Sequence, residues 1–289
     1  MSTALEHLID VLTLESIGPD RWRGLGSRDD GVDATYGGHM LGQATAAACA
    51  SCAPERVLHS LHVYFLRGGQ PGVPYEYAVE RVRDGRSFST RRVSAWQNGR
   101  HVLELTASFS DGAAGPSLVA APPADFAALP APATLTSYSE LMHVLDPPPL
   151  PLEWARRPLA IDLRPVNAPW SPRGPSAAGG IRHWIRAVAP LPDDAALHRA
   201  ALAYQSDESL ADCLLVPQGL TWGAQGMTFV SIDHAMWFHR RIDLNDWLFV
   251  EQWPGTAEHG RGLAHGRVWS RAGELVCSYT QEVLMRLEG

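Results

Sequence analysis

A six-residue segment recurs in this 289-residue chain, and the recurrence limits what the chain can fold into. His62-Val63-Tyr64-Phe65-Leu66-Arg67 lines up with Ala235-Met236-Trp237-Phe238-His239-Arg240, and Gly99 then falls on Gly273. The period is about 174 residues, far longer than a solenoid repeat, so the unit that recurs is a whole half of the chain. In the first half, an Ala-rich run over 39–52 reads as a buried helix. Four strand-like segments follow it, 59–67, 74–83, 87–97 and 101–109, with Asn98-Gly99 as a hairpin signal between the last two. In the second half, Asp193 or Asp194 caps a helix running to about Gln205. Segments 227–239, 247–253, 262–270 and 274–286 then read as strands, with Ala272-Gly273 as a turn. A helix followed by an antiparallel meander, twice, is an α+β pattern and not alternating β-α-β.

The remaining segments fit around those two units. Residues 3–16 read as an amphipathic helix, with Thr3 and Glu6 at capping-box spacing and Leu5, Leu8, Ile9 and Leu12 at helical intervals. Segments 159–164 and 181–188 are strand-like. Between them and the first half, Pro and Ala dominate, with Pro122-Pro123 and Pro147-Pro148-Pro149. That stretch predicts a linker wrapping the surface, with a short helix near 138–144. The expected organisation is a first unit over 1–111, a linker over 112–157 and a second unit over 158–289.

Charge and motifs exclude several functions. The net charge of −7 argues against a nucleic-acid binder. All 24 basic residues are Arg, which excludes a Schiff-base or P-loop lysine. No run of about 18 apolar residues occurs, so no membrane-spanning helix is expected. The first residues lack a basic region leading into an apolar run, and Leu287-Glu288-Gly289 matches no retention or peroxisomal ending, so the expected location is the cytoplasm. Cys49 and Cys52 form a C-x-x-C inside the Ala-rich run, without a second pair, and read as packing residues. Gly85-Arg86-Ser87-Phe88-Ser89 lacks the closing Gly of a nucleophile elbow, and no H-E-x-x-H is present. His234 and His239 stand five apart on a strand and so face opposite sides, which leaves no expected metal site.

A polar set in the second half remains. Asp207 ends the predicted helix, Ser231 sits in a strand of large apolar residues and Gln281 interrupts the last strand. A carboxylate, a hydroxyl and an amide can together hold and deprotonate a water. From the residues alone, the ordinary structural reading of a cap Asp, a strand Ser and an edge Gln is the favoured one.

Ordered blocks along the chain carry a family resemblance. They are Tyr36-Gly37-Gly38-His39-Met40-Leu41-Gly42-Gln43-Ala44, the segments 59–69 and 83–93, Ala203-Tyr204-Gln205-Ser206-Asp207, the segment 231–240, and Gln281-Glu282-Val283-Leu284-Met285-Arg286. Through them the chain resembles the type II (TesB-like) acyl-CoA thioesterases. The resemblance implies a double hotdog, in which each unit is a long helix wrapped by an antiparallel sheet. It implies hydrolysis of fatty acyl-CoA to free fatty acid and CoA, without a cofactor, by a water held on Asp207, Ser231 and Gln281. The first half lacks that set, since Gln281 corresponds to Ala107 and Ser231 falls near Leu58. Asp233 and His234 are then a structural hydrogen-bond pair with His239. Backbone N–H groups of Gly37 and Gly38, opening the first helix, are candidate oxyanion donors. Arg91, Arg92 and Arg240 are candidate partners of the CoA phosphates. A homo-oligomer is the expected assembly. Three alternatives stay open at this point: a non-catalytic acyl-CoA binder, a hydratase-like hotdog enzyme with His39 as its only nearby histidine, and a pure assembly module that would need no polar triad.

Overall fold

The two halves join edge to edge into one sheet. The computed structural model describes residues 4–28, 34–146, 148, 150–168, 174, 179–222 and 224–287. The first half contains α1 (Ala4–Leu12), β1 (Glu15–Gly18), β2 (Arg21–Gly24), α2 (Gly37–Ala50), β3 (Val57–Phe65), β4 (Tyr75–Asp84), β5 (Phe88–Gln97) and β6 (Arg100–Ser110). After it come α3 (Tyr138–Val144) and α4 (Leu152–Ala155), between the halves. The second half contains β7 (Ile161–Asn167), β8 (Ile181–Ala187), α5 (Ala195–Ser206), α6 (Asp212–Leu215), β9 (Met227–Ser231), β10 (Asp233–Phe238), β11 (Leu248–Glu258), β12 (Arg261–Ser270) and β13 (Leu275–Leu287). The strand order is β1-β2-β4-β5-β6-β3-β10-β13-β12-β11-β8-β7, with β9 pairing β13. Read from either end, the order is the same arrangement for the two halves. The register agrees: His62 faces Ala235 across the antiparallel β3–β10 pair, and these are residues that the repeat equates. A two-fold between the halves requires that pairing.

Helices α2 and α5 lie against each other on the inner face of this sheet. Side chains are scarce where they cross. A Cβ on Gly38 would lie 2.2 Å from the Tyr204 carbonyl oxygen, and one on Gly42 would meet Leu12 at 2.9 Å and Tyr204 at 3.1 Å. These contacts run the helices antiparallel, with the start of α2 against the end of α5. Both helices owe their position to burial of Met40, Leu41, Ala44, Ala47, Ala200, Ala201, Leu202 and Ala203. Asp194 is the cap of α5, accepting from the N–H groups of Ala196 (2.7 Å) and Leu197 (3.2 Å). Gly99 and Gly273 turn the equivalent hairpins with φ of +71° and +80°, a conformation that favours glycine.

Three differences from the sequence reading matter for the site. The predicted strand over 227–239 is two strands. Ser231 pairs with Val283, whereas Ala235 pairs with Thr280, a slip of one residue at Ile232. The stretch between the halves is only partly a surface strap. Residues 111–120 are exposed, but Tyr138, Met142 and Ala155 are buried in the core. The first helix ends at Leu12, and the strands β1 and β2 follow it. Thr3, Pro147, Pro149 and the last two residues of the chain lie outside the described residues.

Candidate active site

The antiparallel crossing of α2 and α5 sets the end of one helix against the start of the other. Asp207 is the residue that closes α5. Its carboxylate meets the first turn of α2, where the Gly38 N–H donates to it. A Cβ on Gly37 would stand 2.6 Å from Asp207 Oδ2, so only a bare backbone admits the carboxylate here. The unpaired N–H groups and the positive end of the helix dipole favour negative charge at that point.

Two strands complete the group. Gln281, fully buried on β13, donates from Nε2 to Asp207 Oδ1 at 2.7 Å and to Ser231 Oγ. Ser231 Oγ lies 3.4 Å from the same Asp207 oxygen. The slip at Ile232 brings Ser231 here. In a regular strand Ser231 and Asp233 would share a face. With the slip, Ser231 and His234 both face inward, while Asp233 faces out to His62 Nε2 at 2.9 Å. The three residues predicted from sequence therefore converge, drawn from a helix end, a bulged strand and a central strand.

His234 backs this group. Its Nδ1 lies 3.3 Å from Gln281 Oε1 and its Nε2 lies 3.0 Å from Ser206 Oγ. Burial pushes the imidazole down to about 4, so it is neutral near pH 7. Both amide hydrogens of Gln281 go to Asp207 and Ser231, which leaves Oε1 as an acceptor and makes Nδ1 the protonated nitrogen. His234 thus fixes which way the Gln281 amide points. The expected pairing of Asp233 and His234 with His239 does not form. His239 bonds to Ser278 Oγ at 2.9 Å, and Asp233 accepts the Glu282 N–H and faces His62. Sequence spacing alone assigned His234 no such role, because the slip that turns it inward leaves no mark in the pattern.

Electrostatically, Asp207 is a carboxyl poised to gain and lose a proton. Burial pushes it up to about 7, reinforced by the neighbouring Glu208 charge and opposed by the hydrogen bonds from Gln281, Gly38 and Ser231. Asp212 is likewise pushed up to about 7 by burial while accepting from Trp222 Nε1 at 2.7 Å. A cavity of ≈ 550 Å³ opens on Asp207, Ser231 and Gln281, with Met40, Phe65, Trp222 and Phe229 among its apolar walls.

The corresponding corner of the first half is filled. Ser51 closes α2 as Asp207 closes α5. Leu58 and Ala107 stand where the repeat puts Ser231 and Gln281. Arg91, opposite Ala107 in the β5–β6 pair, occupies the space that the small side chain leaves. It is 1% exposed and donates to Ser51 Oγ (3.2 Å), the Arg83 carbonyl (3.1 Å) and Asp84 Oδ1 (2.7 Å). That engagement corrects its expected role, since a buried, paired guanidinium is not presented to a phosphate. Arg92 points to the outer face and pairs with Glu80, and Arg240 lies 3.7 Å from Glu274 beyond the end of β10. The arginine among the described residues lining the cavity that opens on Asp207 is Arg67, which the repeat equates with Arg240. Gly37 lines the cavity, whereas the Gly38 N–H is taken by Asp207. His39 donates from Nε2 to the Leu25 carbonyl at 2.9 Å, burial pushes it down to about 4, and it is not among the residues lining the cavity that opens on Asp207. The Cys49 thiol is pushed up to about 12 by burial, which fits packing.

Comparison with known proteins gives a consistent result across the whole length. Residues 154–284 match the acyl-CoA thioesterase family, and residues 27–110 match the acyl-CoA thioesterase N-terminal domain. The chain is 33% identical to acyl-CoA thioesterase 2 of Haemophilus influenzae, covering 99% of both proteins. It is also 33% identical to human acyl-coenzyme A thioesterase 8, over 96% of this chain and 88% of that protein. Among solved structures, the acyl-CoA thioesterase II TesB2 of Mycobacterium marinum is 34% identical with a TM-score of 0.79, covering 98% of this chain and 99% of that one.

Proposed function

The chain belongs to the acyl-CoA thioesterase II (TesB-like) family and is an acyl-CoA thioesterase, and we propose that it cleaves fatty acyl-CoA by direct attack of a water held on Asp207, Ser231 and Gln281. The observation that carries this reading is the convergence of those three side chains at an apolar cavity, with the Asp207 carboxyl held up to about 7. A base poised near working pH is half ionised and still strong enough to take a proton.

Water donates one hydrogen bond to the Asp207 carboxylate and is steadied by Ser231 Oγ. As its oxygen attacks the thioester carbonyl carbon, Asp207 takes its proton. The carbonyl oxygen becomes an oxyanion, for which the Gly37 N–H, at the positive end of α2, is the proposed donor. When the tetrahedral intermediate collapses, the C–S bond breaks and the proton on Asp207 passes to the departing sulfur. Free acid and CoA result, and no covalent adduct with the protein forms. Gln281 holds Asp207 and Ser231 at fixed spacing throughout. Arg67 is the proposed contact for a CoA phosphate, because it stands on the cavity rim with Gly68. Assembly into a homo-oligomer is supported by Tyr64 and Trp237, equated by the repeat and 48% and 44% exposed on the outer face; a monomeric mass in sedimentation would count against it.

Asp207→Asn keeps the shape and removes the base. Steady-state thiol release should fall by about 10²-fold or more while acyl-CoA binding persists. Near-normal turnover by folded Asp207→Asn protein would remove Asp207 from the chemistry.

A further inference from the structure

The stretch between the halves sends one aromatic side chain into the catalytic cavity. Trp154, on α4, lines it together with Leu150 and Pro151. The indole packs edge-on against Tyr36, 5.4 Å between ring centroids. The Arg157 guanidinium sits 3.5 Å from the centroid of the indole. Arg157 is itself gripped by both carboxylate oxygens of Glu208, at 2.5 Å each, in an ion pair whose side chains are 9% and 8% exposed. Behind Trp154 and Tyr36 lies a second, smaller cavity of ≈ 60 Å³, walled by Leu8, Val11, Leu159 and Ile161 and by polar groups that include Arg157 and Glu208. Ala34 and Glu208 line both spaces, and so do the two aromatic rings, Tyr36 and Trp154. The rings form the partition between them.

The two halves of the partition are held differently. Tyr36 precedes α2, and its hydroxyl donates to the Tyr204 carbonyl at 2.7 Å, so it is fixed to both central helices. Trp154 belongs to a four-residue helix flanked by Pro151 and Pro158, too short to hold itself. Its position depends on the Tyr36 contact and on the Arg157–Glu208 clamp. Arg suits that clamp because its planar head can stack on an indole while pairing a carboxylate.

We propose that Trp154 is a specificity-determining residue, the wall that stops the acyl chain, with Arg157 as the positioning residue that holds it in place. The proposal rests on the reading that the Asp207 cavity is the thioester site. An acyl chain that reaches the indole gains nothing from further methylenes, because they have no apolar surface to bury against. Removing the indole joins the two cavities and gives longer chains somewhere to go.

The test is the ratio of kcat/KM for long against short substrates, from butanoyl- to stearoyl-CoA, in wild type, Trp154→Ala, Trp154→Phe and Arg157→Lys. Each methylene newly buried should raise kcat/KM by about fourfold. Trp154→Ala should therefore shift the preferred chain length upward, with the long-to-short ratio rising tenfold or more. Trp154→Phe, which keeps an aromatic ring and the fold, should move the ratio in the same direction by less. Arg157→Lys keeps the charge facing Glu208 but loses the stacked plane, and should broaden the profile. An unchanged ratio in Trp154→Phe and in any folded Trp154→Ala overturns the proposal. So does a KM raised equally for every chain length, since Trp154 would then contact the CoA part. Asp207→Asn run on the same panel separates the two readings. Its inactivity keeps the site where it is argued to be, and retained activity would displace the site whatever Trp154 does.

Discussion

At the residue scale, Ser231 is the member of the triad whose type admits two chemistries, nucleophile or water holder. A nucleophilic Ser needs an adjacent base aimed at its oxygen and usually a strained elbow. Ser231 receives a hydrogen from Gln281, and its own bond to Asp207 is long, 3.4 Å, and falls on an oxygen that already accepts from Gln281 at 2.7 Å. A hydroxyl is all that holding a water requires. Ser231→Thr should keep substantial turnover and Ser231→Ala should lose much of it, and rapid-quench mass spectrometry should find no acyl group on Ser231. A trapped acyl-Ser231 species formed as fast as turnover, with an inactive Thr variant, would reverse this. The triad was legible in the sequence only through family resemblance, since an Asp, a Ser and a Gln 24 and 50 residues apart form no local motif. The supports of the triad were not legible at all. His234 drew attention as a possible ligand, and its actual task of orienting an amide depends on a one-residue slip that turns it inward. Arg91, chosen as a phosphate partner, is instead a buried plug, because the small residue opposite it on the neighbouring strand leaves a space that only the folded sheet reveals.

At the scale of elements, period-two and period-3.6 patterns placed the long strands and both central helices to within a few residues. They failed where an element is short or irregular. β1 and β2 are four residues each and carry little apolar alternation, so no period could register. The bulge joining β9 to β10 reads as one strand because both pieces are apolar. α4 lies among prolines, and the composition that marks a linker conceals a turn of helix that enters the site. The repeat itself was legible, and so was the absence of a second Ser and Gln at the positions in the first half that the repeat equates with Ser231 and Gln281. The structure adds that the vacated corner is occupied. Ala107→Gln would place an amide against the Arg91 guanidinium and its partners Ser51 and Asp84. It should cost about 1–3 kcal/mol of stability by overpacking. It should also leave an Asp207→Asn background inactive, because Leu58 offers no hydroxyl and Ser51 no base. Thermal unfolding and thiol release measure the two halves of that statement, and any recovered turnover would contradict a degenerate first half.

On the scale of the whole molecule, one ionisation ties activity to stability. In the folded protein Asp207 titrates near 7, against 3.8 for an ordinary Asp. The folded state therefore keeps a proton that the unfolded chain releases, and stability falls as pH rises from about 3.8 through about 7. Asp212, also pushed up to about 7, adds to that slope. The buried histidines His39 and His234, pushed down to about 4, and His183, pushed down to about 3, act in the opposite sense. They destabilise the fold as pH drops below 6.5, where unfolded histidines gain protons that the folded ones refuse. The protein is thus pressed from both sides, and near neutrality the cost on the alkaline side is that of ionising Asp207 and Asp212. In the proposed mechanism the ionised Asp207 is the form that accepts a proton from water. In wild type, kcat/KM should rise about tenfold per pH unit below 7 and level off above it. In denaturant unfolding at pH 8, Asp207→Asn should be more stable than wild type by a few kcal/mol, because each tenfold difference in proton affinity between the folded and unfolded states is worth about 1.36 kcal/mol. The difference should shrink steadily toward pH 4, where both proteins are neutral at position 207. A pH-independent difference between the two proteins, or a rate profile flat from pH 5 to 8, would mean that Asp207 is ionised throughout and that burial does not hold its proton.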